Sequence, residues 1–145
     1  MTIRWKKLRE DAVIPERATA LSAGFDLSAA IDEDIILAPG EIKLIGTGLS
    51  AQLPEGQYAL MIYARSGLAA KHGIGLANSV GVVDSDYRGE IKAALINQGR
   101  EPFKIEKNMR IAQAVLTPVV FAESIEAERL SETERGSGGF GSTGR

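Results

Sequence analysis

The densest polar cluster in the chain is Gly81-Val82-Val83-Asp84-Ser85-Asp86-Tyr87-Arg88-Gly89-Glu90, flanked on both sides by strand-like sequence. Asp and Ser are turn residues, so the cluster reads as a hairpin bend. Chemically it offers a carboxylate that can orient a water as general base and a tyrosine ring that can pack against a sugar. The sequence holds no cysteine and a single histidine, His72. Disulfides, thiolate metal sites and two-His metal sites are excluded, and a Ser/His triad is disfavoured because His72 follows Lys71 at an expected helix end. Carboxylates are therefore the leading candidates for base catalysis.

A second unusual segment is Arg135-Gly136-Ser137-Gly138-Gly139-Phe140-Gly141-Ser142-Thr143-Gly144-Arg145, which has five glycines, two arginines and one aromatic ring. Ordering it would cost roughly 10–20 kcal/mol of backbone entropy, which must come from whatever it closes over. Glycines allow close backbone approach, hydroxyls and arginines suit phosphate oxygens, and a Phe can stack on a base. The segment reads as a lid for a nucleotide, with a plain Gly/Ser tether as the alternative. Gly136-x-Gly138-x-x-Gly141 matches a dinucleotide fingerprint only in spacing, since no helix can open so near the chain end, and a P-loop lysine is absent.

Three further segments are weaker alone. Ala23-Gly24-Phe25-Asp26-Leu27 places an Asp at a turn-to-strand junction. Arg110-Ile111-Ala112-Gln113-Ala114-Val115 puts Gln113 on the same strand parity as Ile111 and Val115, where a polar side chain needs either a backbone partner or a ligand. Ser66 to Gly73 reads as a short helix, with Ser66 as N-cap, Gly73 as the terminating glycine, and Arg65 and Ser66 beside its free amides.

The elements that must hold these residues are mostly strands. Apolar runs or alternation fall at Glu33 to Leu37, Glu41 to Leu49, Tyr58 to Tyr63, Glu90 to Asn97, Phe103 to Glu106 and Ile111 to Val120, punctuated by Pro39-Gly40, Pro54-Glu55-Gly56, Gly99 to Pro102 and Lys107-Asn108. Short strands at such spacing predict an all-β sandwich or closed barrel rather than βαβ units. At 145 residues and 15.5 kDa one domain is expected, with residues 1–134 as the β domain and 135–145 as a flexible glycine-rich C-terminal arm. The net charge of −2 provides no field for a nucleic-acid polymer, and Arg4, Lys6, Lys7 and Arg9 read as a solvated strand or subunit contact. No leader-like or membrane-spanning apolar run is present, so a soluble, cytoplasmic protein is expected.

In order and spacing the five segments resemble the five motifs of the trimeric deoxyuridine triphosphate diphosphatases (dUTPases), over roughly Ala23 to Arg145. The motifs are matched by Ala23 to Leu27, Ala64 to Ala69, Gly81 to Gly89, Arg110 to Gln113 and Arg135 to Gly144. Phe25 stands where the family often has Tyr. The resemblance implies a jelly-roll-like distorted barrel with one short helix, forming a homotrimer with shared sites. It further implies Mg²⁺-assisted hydrolysis of dUTP to dUMP and pyrophosphate, limiting uracil incorporation into DNA and supplying dUMP for thymidylate synthesis. Asp84 would activate the water, and Tyr87 would pack under the deoxyribose. Asn78, Val82 and Val83 would lie along the hairpin that reads uracil, with Lys92 nearby. Arg65, Ser66, Gly67 and Gln113 would hold phosphates, and Asp26 would support the phosphate and metal-water region. Phe140 would stack on the base while Arg135 closes over the triphosphate. Magnesium would be held mainly by substrate phosphates, with no direct protein ligand. The related dCTP deaminases share the fold but need an extra acid or base, for which Glu90 is the sole nearby glutamate. A non-enzymatic β-sandwich binding protein is the contrasting class.

Overall fold

The computed structural model describes residues 1–139. Strands and one helix follow in the order β1 (Arg4–Lys7), β2 (Phe25–Ser28), β3 (Ile35–Leu37), β4 (Ile42–Gly46), β5 (Leu49–Gln52), β6 (Tyr58–Ala64), α1 (Ser66–His72), β7 (Ile74–Leu76), β8 (Gly81–Val83), β9 (Lys92–Asn97), β10 (Phe103–Ile105) and β11 (Arg110–Pro118). The expected run of short strands around a single short helix is what forms. All pairings among the described residues are antiparallel, in sheets ordered β2-β11-β6-β8, β4-β9-β7, β1-β5 and β10-β3.

One apolar cluster joins these sheets. Every strand except β1 and β8 places a buried side chain in it, including Leu27, Leu37, Ile45, Leu60, Leu95 and Ile105, while Trp5 and Val83 pack at its rim. Strand β9 shows how sequence period becomes burial, because Ala93, Leu95 and Asn97 point inward while their neighbours point out.

Two expected elements differ in outcome. The stretch from Glu41 to Leu49 is not one strand but β4 and β5, because Gly48 adopts φ 66 and turns the chain, its amide donating to Glu90 Oε1 at 2.9 Å. Nor is the Asp84 segment a hairpin bend. β8 pairs with β6, whereas β9 pairs with β4 and β7, so residues 84–91 cross between two sheets. The bend between β4 and β5 captures the crossover's far end: Ile91 N–H donates to Leu49 O at 2.8 Å, and Thr47 Oγ1 donates to Ile91 O at 2.7 Å. Hydrogen bonds that would have closed a hairpin are made to this bend instead.

The helix ends at Gly73 in the left-handed conformation, as expected, but its N-cap is Arg65 rather than Ser66, and no side chain caps its first amides. Of the basic N-terminal residues, Arg4, Lys6 and Lys7 lie on β1, which pairs with β5. Arg9 instead joins an ion cluster with Asp11 and Asp32, and Lys107 also reaches Asp11. Arg9 foremost, then Lys107, holds the Asp11 carboxyl well below the usual carboxylate range. Its contribution to stability is present above the ordinary carboxylate pKa of about 4 and fades as pH falls below it.

Asn97 is the most completely buried polar residue, at 0% exposure. Its Nδ2 donates to Leu37 O at 2.9 Å and to Glu101 O at 2.8 Å, and its Oδ1 accepts from Gly99 N–H at 2.8 Å. This places Gly99 against the His72 carbonyl at the end of α1, where a Cβ would not fit. Replacing Asn97 by Ala strands one buried and two partly buried backbone groups, so a loss of ~2–4 kcal/mol is expected in urea denaturation. An unchanged midpoint would mean that water replaces all three bonds.

Candidate active site

Most of the residues singled out from the sequence fall into two groups, one following the end of β6 at Arg65 and one around the crossover that leaves β8 at Asp84, beside the start of β6. The first is cationic. Asp26 on β2 accepts from Arg65 Nε at 3.0 Å through Oδ1 and from Arg110 NH1 at 3.0 Å through Oδ2. Arg65 also donates to the Arg110 carbonyl at 3.2 Å. One partly buried carboxylate thus holds two guanidinium groups, 27% and 56% exposed, in a net positive locus. Ser66 and Gly67, both exposed, begin α1 beside it.

The geometry of this group depends on a β-bulge in β11. Arg110 pairs with Ser28, and Gln113 pairs with Asp26, with the register shifting between Arg110 and Ala112. In a regular strand, residues three apart face opposite sides; the extra residue brings Arg110 and Gln113 to the face that carries Asp26. The bulge also turns Ile111 into the core at 1% exposure, next to Ala112 and Ala114, so Gln113 does not share the face of Ile111 as its parity suggested. The amide of Gln113 finds a backbone partner, donating through Nε2 to Ala64 O at 3.0 Å and so tying β11 to the residue before Arg65. Sequence reasoning did not count Arg110 among the site residues. Its signal was available, as the charge that opens the fourth motif.

The second group surrounds the crossover. Val82, Val83, Asp84, Tyr87, Glu90 and Lys92 line a cleft of ≈ 310 Å³ that Leu44 and Ile91 complete. Among the described residues β8 is the outer strand of its sheet, so one edge bonds β6 and the other carries no strand. Its free backbone groups stand where a planar ligand could be read by donor and acceptor order. Val82 and Tyr87 are 61% and 45% exposed, leaving apolar surface for a ring or sugar to cover. The Tyr87 hydroxyl donates to Glu90 O at 3.1 Å, and Lys92 Nζ pairs with Glu90 Oε2 at 3.3 Å. Asp84 is exposed and takes part in no ion pair among the described residues, which leaves its oxygens available to a water. Asn78 is exposed at the turn before β8, beside Gly81, next to Ser79 at φ 61.

The two groups do not meet within one chain. Leu60 pairs with Val83, which sets Asp84 beside the start of β6, whereas Arg65 follows its end. Six residues of extended strand separate those ends by ~20 Å. Arg135 lies with neither group, its Nε donating to Gly138 O at 2.9 Å within its own turn. Phe140 lies outside the described residues. His72 packs against Phe103 with ring centroids 5.0 Å apart and planes tilted by 48°, at the far end of α1 from Ser66. Glu90, the residue a deaminase would require as acid or base, is engaged by Gly48 and Lys92. No cluster of three or more metal-ligating side chains exists among the described residues, nor is any helix there long and apolar enough to cross a membrane.

Residues 10–144 match the dUTPase family model. The chain is 57% identical to the deoxyuridine 5'-triphosphate nucleotidohydrolase of Nautilia profundicola over 145 residues, covering all of both chains. It is 55% identical to that of Treponema denticola over 138 residues, covering 95% of each. Among solved structures, the Staphylococcus bacteriophage 80alpha dUTPase with dUpNHpp superposes with a TM-score of 0.88 at 29% identity, covering 99% of each chain. That likeness bears out the jelly-roll-like all-β architecture.

The Asp26 bridge yields a test independent of any substrate. Asp26→Asn leaves two neighbouring arginines without a counter-charge, and a stability loss of ~1–2 kcal/mol is expected after allowing for solvent screening at Arg110. Chemical denaturation at low and high salt measures it, and the deficit should narrow as salt screens the repulsion.

Proposed function

The chain belongs to the dUTPase family, and from that premise we propose that it hydrolyses dUTP to dUMP and pyrophosphate, at sites built from more than one subunit of a homotrimer. The observation that carries the reading is the division of the motif residues into a cationic group and a carboxylate cleft, each equipped for one part of a nucleotide. A relative identical at 57% of positions over the full chain bears the name of this activity.

In this reading the cleft beside β8 takes the nucleoside. The strand edge at Val82 and Val83, with Asn78 and Lys92 nearby, would read the donor and acceptor order of uracil, and the Tyr87 ring would pack under the deoxyribose and leave no space for a 2′-hydroxyl. Arg65, with Ser66 and Gly67, holds phosphate oxygens on the neighbouring subunit's surface. Asp26 and Gln113 fix that arginine in place, and Arg110 adds a second cation. Asp84 accepts a proton from a water as its oxygen attacks the α-phosphorus; the bond to the bridging oxygen breaks, and pyrophosphate departs. Negative charge grows on non-bridging oxygens, where fixed arginine donors are most effective.

Magnesium fits this donor set as an ion carried by the substrate. The described residues offer no carboxylate cage, and Mg²⁺ favours phosphate oxygens while keeping several waters. Its contribution would be charge neutralisation on the triphosphate, and Asp26, whose oxygens each retain a lone pair beside the arginines, would support the region of the phosphates and the ion's water shell. The arm from Arg135 onward, with Phe140, closes over the nucleotide. Such an enzyme, acting in the cytoplasm, lowers the dUTP available for incorporation into DNA and supplies dUMP for thymidylate synthesis.

Pyrophosphate release from dUTP, dCTP, dTTP and UTP with Mg²⁺ tests the activity, and conversion of dUTP to dUMP alone is expected; uridine products from dCTP would move the protein to the deaminases. Asp84→Asn should bind dUTP while kcat falls by about a thousandfold or more, and an unaltered kcat would remove Asp84 as the base. The shared site is tested by co-expressing Asp84→Asn with Arg65→Ala, each inactive alone. A cyclic assembly joining Asp84 of one subunit to Arg65 of the next restores roughly a quarter of wild-type activity in random mixtures, whereas a site within one chain restores none.

A further inference from the structure

Glu90 makes more contacts than its place in the sequence suggests. Its Oε1 accepts from Gly48 N–H at 2.9 Å, its Oε2 meets Lys92 Nζ at 3.3 Å, and its backbone carbonyl accepts from the Tyr87 hydroxyl at 3.1 Å. Two glycines make room for this arrangement. A Cβ on Gly46 would collide with the Glu90 carboxylate, and one on Gly89 would collide with the Tyr87 ring and hydroxyl. The bend that Glu90 grips is itself rigid. Thr47 and Ser50 are 1% and 5% exposed, and their hydroxyls donate to Ile91 O and Arg88 O, so the crossover is fastened on both sides of Glu90. The side chain of Glu90 faces the bend and Lys92, while only its backbone carbonyl is turned to Tyr87.

We propose that Glu90 is a positioning residue that sets sugar discrimination, by locking the Tyr87 ring at a fixed height in the cleft through the bend at Gly46 to Ser50. The proposal rests on the reading of that cleft as the deoxyribose pocket. A ring that excludes a hydroxyl must not yield when the larger sugar presses on it, because a relaxed contact admits both sugars. Tyr87 lies on an irregular segment without strand partners among the described residues; its amide donates to Asp84 O at 3.2 Å and Arg88 NH1 donates to its carbonyl at 2.9 Å, while its hydroxyl is held by the Glu90 carbonyl. Removing the Glu90 carboxylate leaves the Gly48 amide without its acceptor and frees Lys92, and the Glu90 carbonyl that holds the Tyr87 hydroxyl then moves with its own backbone.

The ratio of kcat/KM for dUTP over UTP reads this directly in Glu90→Ala, Glu90→Gln and wild type. Glu90→Ala should lower the ratio by about tenfold or more, through a rise in KM for dUTP and a gain with UTP, while Glu90→Gln, which keeps an oxygen for Gly48 N–H, stays within about threefold of wild type. A general loss of structure would lower kcat for both nucleotides and leave the ratio unmoved, which overturns the proposal. Should Glu90→Ala not fold, Gly89→Ala displaces the ring from the opposite side and carries the same expectation for the ratio. The Tyr87 ring position in a crystal structure of either variant tests the positioning whatever the substrate; a ring unmoved from its wild-type place would refute it. Wild-type protein inactive on every nucleotide would instead refute the assigned reaction, a separate result.

Discussion

The placement of β11 between β2 and β6 is the constraint on which the remaining geometry depends. It pairs with β6 from Ala112↔Ala64 to Pro118↔Tyr58 and with β2 from Arg110↔Ser28 to Ala114↔Phe25. Because the side-chain period of a strand is two, a slip of one residue on either side would exchange the faces of Gln113 and Ala114. Ala112 and Ala114, both at 0% exposure, leave no space for such a slip. The bulge at Ile111 adds the one departure from regularity that the cationic group requires. Without it Arg110 would point away from Asp26, and the arginine pair would not exist.

That pair illustrates how charge is distributed over the molecule. Two guanidinium groups so close together repel, and the carboxylate between them offsets the repulsion. Asp84 has the opposite setting, an exposed carboxylate with no cation fastened to it among the described residues. The two groups stand at opposite ends of one strand, where neither neutralises the other.

The bend between β4 and β5 performs a comparable task for the crossover. Its buried hydroxyls and the left-handed Gly48 turn a segment without strand partners into one with fixed backbone positions. The half-exposed Tyr87 thus stands on a segment whose backbone is bonded to that bend on both sides of Glu90.

The residue types and spacing of the sequence by themselves determined the inventory: short strands, one short helix ended by Gly73, carboxylates in place of histidine chemistry, and a family resemblance carried by five separated segments. These features are local or one-dimensional, since periodicity, turn chemistry and motif order need no partner across the fold. Tertiary structure alone decided that residues 84–91 form a crossover, because hairpin and crossover share the same turn residues and differ only in which strand captures the far end. It likewise decided the bulge that unites Arg110 with Gln113, the start of α1 with Arg65 at its uncapped N-cap position, and the role of Glu90 as a fastening to Gly48. Bulges, registers and long-range side-chain bonds depend on pairing energies between residues distant in sequence, and no pattern within a single segment records them.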